Sequence, residues 1–430
     1  MGLTGVGRHT FFLITIGKDE PAMPFADALA PDGALHSFVA LCGQTVWNQR
    51  VAELWTRAQA GSLLGRIAQQ RHALELALAR LADRTAVAAG RSGAVERLLC
   101  LLAYEAVEMS AALPAASRSR LREEILAGLT GEATLIPLFH RLRTAALLRC
   151  RGFSLRFDGI SEGASYDLLA ERDGAVAEVA CETVSAEAGR KVNRGDWWML
   201  VDRINPELQT WLAAHPGRYL LKVTLPGGLA GPEQTAEIHR RISALLAAER
   251  RQASCSQAVL KLDPLVLAGA QRANGGAGDR AGLPARLREQ FGPEAHLSVT
   301  TDPHSNSVFV MAARASQENE VAAAVCRRLA RAAEDRLTGR HPGILSVFLE
   351  DLDRAEWRVL RERLELEGAV RRFLTTGPAR RVVAVSCASR FELFGAPPPD
   401  GAPGGELRFR NPAHPAAKQQ ALAPAILSSV

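Results

Sequence analysis

Lysine is scarce in this 430-residue chain, although basic residues are not. Of the 52 lysines and arginines, only five are lysines, and only Lys191 and Lys222 lie near the acidic segment described below. Any search for a catalytic lysine is therefore short. Aromatic residues are also few, at 5%, whereas Ala, Leu and Arg are abundant, which favours a helix-rich protein.

The cysteine pattern excludes a disulfide framework and a zinc site. The seven cysteines are an odd number, none forms a C-x-x-C pair, and several lie in apolar runs such as the leucines around Cys100. Buried, reduced thiols of this kind are typical of a reducing compartment.

Long apolar runs are absent too. No stretch reaches the roughly 18 apolar residues that a membrane span requires. The short run at residues 11–16 is followed by Lys18-Asp19-Glu20 and by no small-residue cleavage site, so we interpret it as a strand or buried segment, not as a leader. We therefore expect a cytoplasmic protein with no membrane partner.

Two common catalytic signatures are missing as well. The chain has no G-x-x-x-x-G-K-[ST] and no H-E-x-x-H, which argues against P-loop nucleotide and zincin chemistry. Residues 159–163 match G-x-S-x-G, but a strand follows where a nucleophile elbow needs a helix, so we predict only a turn. The net charge of +6 weakly favours a polyanionic partner and leaves the oligomeric state open.

Hydrophobic periodicity divides the chain into five segments and predicts a mixed α/β fold. The predicted segments are 1–129, mostly helical; 130–252, an α/β core; 253–295, a linker; 296–412, a C-terminal α/β region; and 413–430, a flexible tail.

The segment from Ser165 to Glu182 predicts a β-hairpin. Two β-type runs flank Asp173-Gly174, and Asp-Gly is a strong signal for a two-residue turn. That turn places Arg172 opposite Ala175, Leu169 opposite Glu178, Asp167 opposite Ala180 and Ser165 opposite Glu182. Since side chains alternate along a strand, Leu168, Ala170, Ala177 and Val179 share an apolar face.

The opposite face of the hairpin is acidic. It carries Asp167, Glu178 and Glu182, close enough for a cation to bridge them. A helix is predicted from Ser185 onwards, and on it Glu187, Arg190, Lys191 and Arg194 would share one side at i, i+3, i+4 and i+7.

Residues 132–225 resemble the PD-(D/E)XK nuclease superfamily. The resemblance lies in the order of the predicted elements: a helix, three strands with an Asp on the second and acids on the third, and a helix beginning Ser-x-Glu-x-Gly-Arg-Lys. The resemblance implies a restriction-endonuclease-like mixed sheet flanked by helices, with an N-terminal helical domain and a C-terminal α/β extension here. It also implies a divalent metal on Asp167 and on the (D/E)-x-K of the next strand. The register puts the D/E position at Ala180 and the Lys position at Glu182, so both residues differ from the family pattern.

Two accounts follow from these altered positions. In the first, the site has moved: Asp167, Glu178 and Glu182 bind Mg²⁺, Lys191 orients the attacking water, and Arg190 and Arg194 bind phosphates of a nucleic acid. In the second, the site has decayed, and the fold binds nucleic acid or a protein partner without catalysis. A third possibility is that the acidic sheet face and the basic helix face are only solvated surfaces with no function.

Overall fold

The computed structural model describes residues 33–59, 63–83, 93–265, 283–292, 294–302, 305–394, 401–402 and 405–429; the run at residues 11–16 lies outside them. The α-helices in these ranges are α1 (Ala34–Cys42), α2 (Gln44–Gln59), α3 (Leu63–Arg71), α4 (Ala73–Ala82), α5 (Ala94–Ala112), α6 (Ala115–Gly128), α7 (Ile136–Cys150), α8 (Asp158–Ser161), α9 (Arg194–Ala214), α10 (Pro232–Ala247), α11 (Leu283–Phe291), α12 (Val321–Asp335), α13 (Arg354–Glu362), α14 (Glu365–Phe373), α15 (Arg390–Leu393) and α16 (Ala423–Ile426). The strands are β1 (Ser154–Arg156), β2 (Leu168–Arg172), β3 (Ala175–Ser185), β4 (Arg218–Leu225), β5 (Gln252–Ser254), β6 (Val259–Pro264), β7 (His296–Asp302), β8 (Ser307–Ala315), β9 (Gly343–Glu350), β10 (Val382–Ser389) and β11 (Leu407–Arg410). None of these helices is both long and apolar enough to cross a bilayer.

The first sheet has the described strands in the order β1-β2-β3-β9-β10-β11. β1, β2 and β3 form an antiparallel meander, β9 and β10 run parallel to β3, and β11 is antiparallel to β10. Asp173 and Gly174 both have positive φ, 49° and 77°, as a type I′ turn requires. The predicted register is confirmed where the ladder forms: Arg172 pairs with Ala175 and Leu169 with Glu178.

Helices cover both faces of the central strand β3. On one face, the apolar residues predicted to share a surface pack against α7; they are Leu168, Ala170, Ala177 and Val179. On the other face, Ala180 and Val184 pack against Val325 and Leu329 of α12. Parallel strands joined by helical crossovers are usually buried on both sides in this way. The acidic face is therefore covered by α12 and is not an open surface.

The second sheet has the described strands in the order β5-β6-β4-β8-β7, with α9 and α10 packed on it. This arrangement corrects the predicted segment boundaries. β4, which falls in the predicted core, belongs to the second sheet, whereas β9, β10 and β11 complete the first. β6 and α11 lie inside the predicted linker at 253–295. Local periodicity identifies strands, but it does not specify which distant strands pair.

Residues 413–429 do not form the flexible tail that was predicted for 413–430. Its small apolar residues are buried against the first sheet; they are Ala416, Ala417, Leu422, Ala425 and Ile426. Short helical turns form this segment: Pro415–Lys418, Gln420–Leu422 and Ala423–Ile426.

We expect Ile426→Ala to lower the free energy of unfolding by about 2–4 kcal/mol, because the Ile426 side chain is 1% exposed. The adjacent Leu427 is 47% exposed, so Leu427→Ala should change stability by less than about 0.5 kcal/mol. Urea denaturation of the two variants compares them directly. Equal effects would show that this segment does not pack on the sheet in solution.

The described N-terminal part is helical and contains a buried ionisable pair. His72 and Glu75 have no exposed side-chain surface, and His72 Nδ1 lies 3.9 Å from Glu75 Oε2. Burial, reinforced by Arg50, lowers the pKa of His72 to about 4. Burial raises the pKa of Glu75 to about 7, although its Oε1 accepts the Leu135 amide at 2.6 Å. Ionising Glu75 therefore opposes folding.

Glu75→Gln removes this ionisation and keeps an oxygen for the Leu135 amide. When folding raises the pKa of a carboxyl, the protein loses stability as pH rises from the ordinary pKa to the folded one, here from 4.5 to about 7. The variant should gain about 3 kcal/mol relative to wild type between pH 4.5 and pH 8. Urea denaturation at both pH values tests this, and the His72 contribution is common to both proteins. A pH-independent difference would refute it.

Candidate functional site

The three acidic residues of the hairpin lie on one side of the first sheet, under α12. Asp167 precedes β2, while Glu178 and Glu182 lie on β3, and their exposed fractions are 7%, 0% and 4%. Asp167 is held by its own strand neighbours, since its amide donates to the Val179 carbonyl at 3.0 Å and its Oδ2 accepts the Cys181 amide at 2.7 Å.

Arg336, the residue after α12, joins two of these carboxylates. Its Nη2 lies 2.8 Å from Asp167 Oδ2 and its Nη1 lies 2.7 Å from Glu182 Oε1. Arg336 also donates to the Ser165 carbonyl, and the Ser165 hydroxyl donates to the Arg336 carbonyl at 2.9 Å. β2 begins only at Leu168, so the predicted Ser165–Glu182 strand pairing is not formed and the guanidinium lies between the two acids.

The remaining carboxylate oxygens are also paired. Asp167 Oδ1 accepts from Arg141 at 3.3 Å, and Glu182 Oε2 accepts from Arg328 Nε at 2.7 Å. Glu178 turns away from this pair, since Oε2 accepts the Thr338 amide at 2.8 Å and Oε1 accepts the Thr338 hydroxyl. Each oxygen of the three predicted ligands thus has a donor from the protein.

This donor set does not fit a magnesium ion as it stands. Mg²⁺ needs carboxylate oxygens that are free to coordinate it, and here guanidinium, amide and hydroxyl groups bond to them. Among the described residues, no cluster of three or more His, Cys, Asp or Glu side chains is arranged to hold a metal. The neighbouring Cys181 thiol is no substitute, because burial raises its pKa and keeps it protonated.

Lys191 lies apart from the acids. The predicted helix from Ser185 is wrong here: residues 186–189 form a single 3-10 turn, and α9 begins only at Arg194, capped by the Asn193 side chain. At this turn Gly189 packs on the backbone of Val321, where an added Cβ would come within 2.5 Å of Val321 Cα. Arg190, Lys191 and Arg194 therefore do not share one side of a helix, as was predicted.

Each of these basic residues forms an ion pair within the protein. Lys191 pairs with Glu320 at 3.3 Å. Glu320 precedes Arg328 by about two turns of helix, which separates the two residues by about 12 Å along the axis of α12. Arg190 is 1% exposed and pairs with Glu356 at 2.8 Å. Arg194 also bonds to Glu356 and to the Asp351 carbonyl. The structure thus brings Asp167 and Glu182 together but separates Lys191, Arg190 and Arg194 from them.

The sequence reasoning missed the residues that complete this site, namely Arg141, Arg328 and Arg336. One signal was present, because residues 328 and 336 are two turns apart and a helix through both would place them on the same side. Nothing local indicated that this side would face the hairpin. Comparisons of the chain with known protein families, with curated proteins and with solved structures gave no match.

We expect Arg336→Ala to destabilise the protein by about 2–4 kcal/mol, because removing one partner leaves two buried carboxylates with less compensating charge. Arg331→Ala on the exposed side of α12 should cost less than about 0.5 kcal/mol. Thermal and urea denaturation measure both. If the two variants unfold alike, Arg336 does not hold the carboxylate pair.

Proposed function

We propose that this chain is a non-catalytic module with the PD-(D/E)XK nuclease fold and that it binds nucleic acid. The observation that carries the proposal is the bridge from Arg336 to Asp167 and Glu182. It puts a fixed positive charge where a nuclease of that kind would need a metal ion. Asp167 occupies the family's aspartate position, and Ala180 and Glu182 occupy the two altered positions.

The architecture of the first sheet supports the fold part of this proposal. α7 precedes the β1–β3 meander and covers one face, α12 covers the other face, and β9 lies next to β3 and parallel to it. A mixed sheet flanked by helices is what the resemblance implies. The second sheet falls between β3 and α12, so it is an insertion into this core.

An arginine face beside the closed site supports nucleic acid as the partner. We use the name arginine face for Arg327, Arg331, Arg372 and Arg380, which are all exposed. Arg327 and Arg331 are one turn apart on α12. α14, which carries Arg372, packs on α12, and Arg372 and Arg327 both lower the pKa of Cys326, opposing the larger effect of its burial.

The turn that carries Arg380, Pro378–Arg381, packs on α12. Exposed acids flank these arginines on α12: Glu320 lies 3.9 Å from Arg327, and Glu334 and Asp335 are the last two residues of the helix. Guanidinium groups suit phosphate because their planar N–H groups match its oxygens. Contacts to phosphates position a protein on nucleic acid without reading its sequence. We therefore expect binding with little sequence preference.

The test is fluorescence anisotropy with labelled single-stranded and double-stranded oligonucleotides. We expect binding that weakens steeply between about 50 and 200 mM salt, with no cleavage in Mg²⁺ or Mn²⁺. Arg331→Ala with Arg372→Ala should weaken binding at least about tenfold and reduce the salt slope by about 2.

The matched control is Arg118→Ala with Arg122→Ala, two exposed arginines one turn apart on α6, which should leave binding unchanged. Equal losses in both double variants would refute the arginine face as the binding surface. Metal-dependent cleavage that disappears in Asp167→Ala and Glu182→Ala would instead establish an active nuclease, with a metal displacing Arg336.

A further inference from the structure

A cavity of about 850 Å³ opens at the carboxyl ends of the parallel strands β3, β9 and β10. Ser185 and Glu350 line it at the ends of β3 and β9, and Arg390 lines it directly after β10. Its other walls come from α2, α3 and α4 and from the start of α9. Ligands of α/β proteins commonly bind at this end of parallel strands and between separately packed parts of a chain.

The acidic residues around this cavity already have partners. Glu132 pairs with Arg57 at 2.7 Å, and Glu187 accepts the Arg194 amide at 2.8 Å. Two further acids accept hydroxyl groups: Asp351 accepts that of Ser185 at 2.6 Å, and Glu350 accepts that of Thr134 at 3.2 Å. Burial, together with Asp351, raises the pKa of Glu350, which favours its neutral form.

Arg390 differs from the other arginines in the lining. In the described part of the chain its guanidinium has no hydrogen bond or ion pair, and it lies 5.7 Å from the centre of the Phe391 ring. Burial and then the charge of Arg194 lower its pKa. Arg390 and Arg194 line the same cavity. An anion bound between them would attract both guanidinium groups and offset their mutual repulsion.

The lining also has apolar residues, among them Ile67, Leu352 and the half-buried Phe394, beside the polar Gln70 and Asn193. The volume exceeds what a simple inorganic anion fills and lies in the range of sites for small organic ligands. An aromatic side chain next to a free guanidinium suits a ligand with a flat ring and a phosphate.

We propose that this cavity binds a nucleotide, with its phosphate on Arg390 and its base against Phe394. This site is separate from the arginine face, and its lining residues belong to the N-terminal helices, the first sheet and α9. A bound nucleotide would therefore contact all three parts of the fold at once.

The test is isothermal titration calorimetry of the full chain with AMP, GMP, CMP, UMP and inorganic phosphate. We expect at least one nucleotide to bind, at least about tenfold more tightly than inorganic phosphate, since phosphate alone makes no contact with the apolar wall. Arg390→Ala should weaken nucleotide binding about ten- to hundredfold, as the loss of charge-assisted hydrogen bonds implies. Arg118→Ala serves as the charge-matched control.

Leu64→Trp is a second variant that keeps every charge. Leu64 is 41% exposed where it lines the cavity, so the larger ring should narrow the cavity and weaken binding while the fold is kept; circular dichroism checks folding of each variant. Both variants should retain oligonucleotide binding, which separates this site from the arginine face. Failure of all four nucleotides to bind, unchanged affinity in Arg390→Ala, or phosphate binding as tightly as a nucleotide would each overturn the proposal.

Discussion

The guanidinium of Arg336 between Asp167 and Glu182 is the interaction on which the acidic side of the first sheet depends. Two carboxylates this deeply buried repel each other and lose hydration, so they require a compensating cation. In this chain arginines provide it: Arg336 bridges both acids, while Arg141 and Arg328 each contact one. This compensating charge is covalently part of the protein, so it cannot dissociate as a bound metal ion would.

This requirement also explains the placement of α12. The helix covers the apolar positions of β3 with Val325 and Leu329, and it brings Arg328 and Arg336 over the acids. Its outward side is then free to carry Arg327 and Arg331. The same crossover leads into β9, whose carboxyl end forms one wall of the cavity that contains Arg390. α12 thus connects the closed acidic site and the arginine face to the strand that reaches this cavity.

Sequence reasoning reached the features that local chemistry determines. Asp173-Gly174 specified a two-residue turn, and the register of β2 and β3 followed from it. The same logic placed Asp167 and Glu182 on one face. It failed where the outcome depends on distant partners. Gly189 packs closely on the backbone of Val321 in place of the predicted helix, and residues 413–429 bury apolar side chains against a sheet that no local pattern specifies. Arg336 was missed for the same reason, since its partners are more than 150 residues away in the chain.

The most direct measurement is a crystal structure of the full chain grown in Mn²⁺, with data collected at the manganese absorption edge. The predicted result is density for the Arg336 guanidinium between Asp167 and Glu182 and no anomalous peak within coordination distance of either carboxylate. A manganese peak bound by both acids, with Arg336 displaced, would contradict the central claim that an arginine has taken the place of the metal.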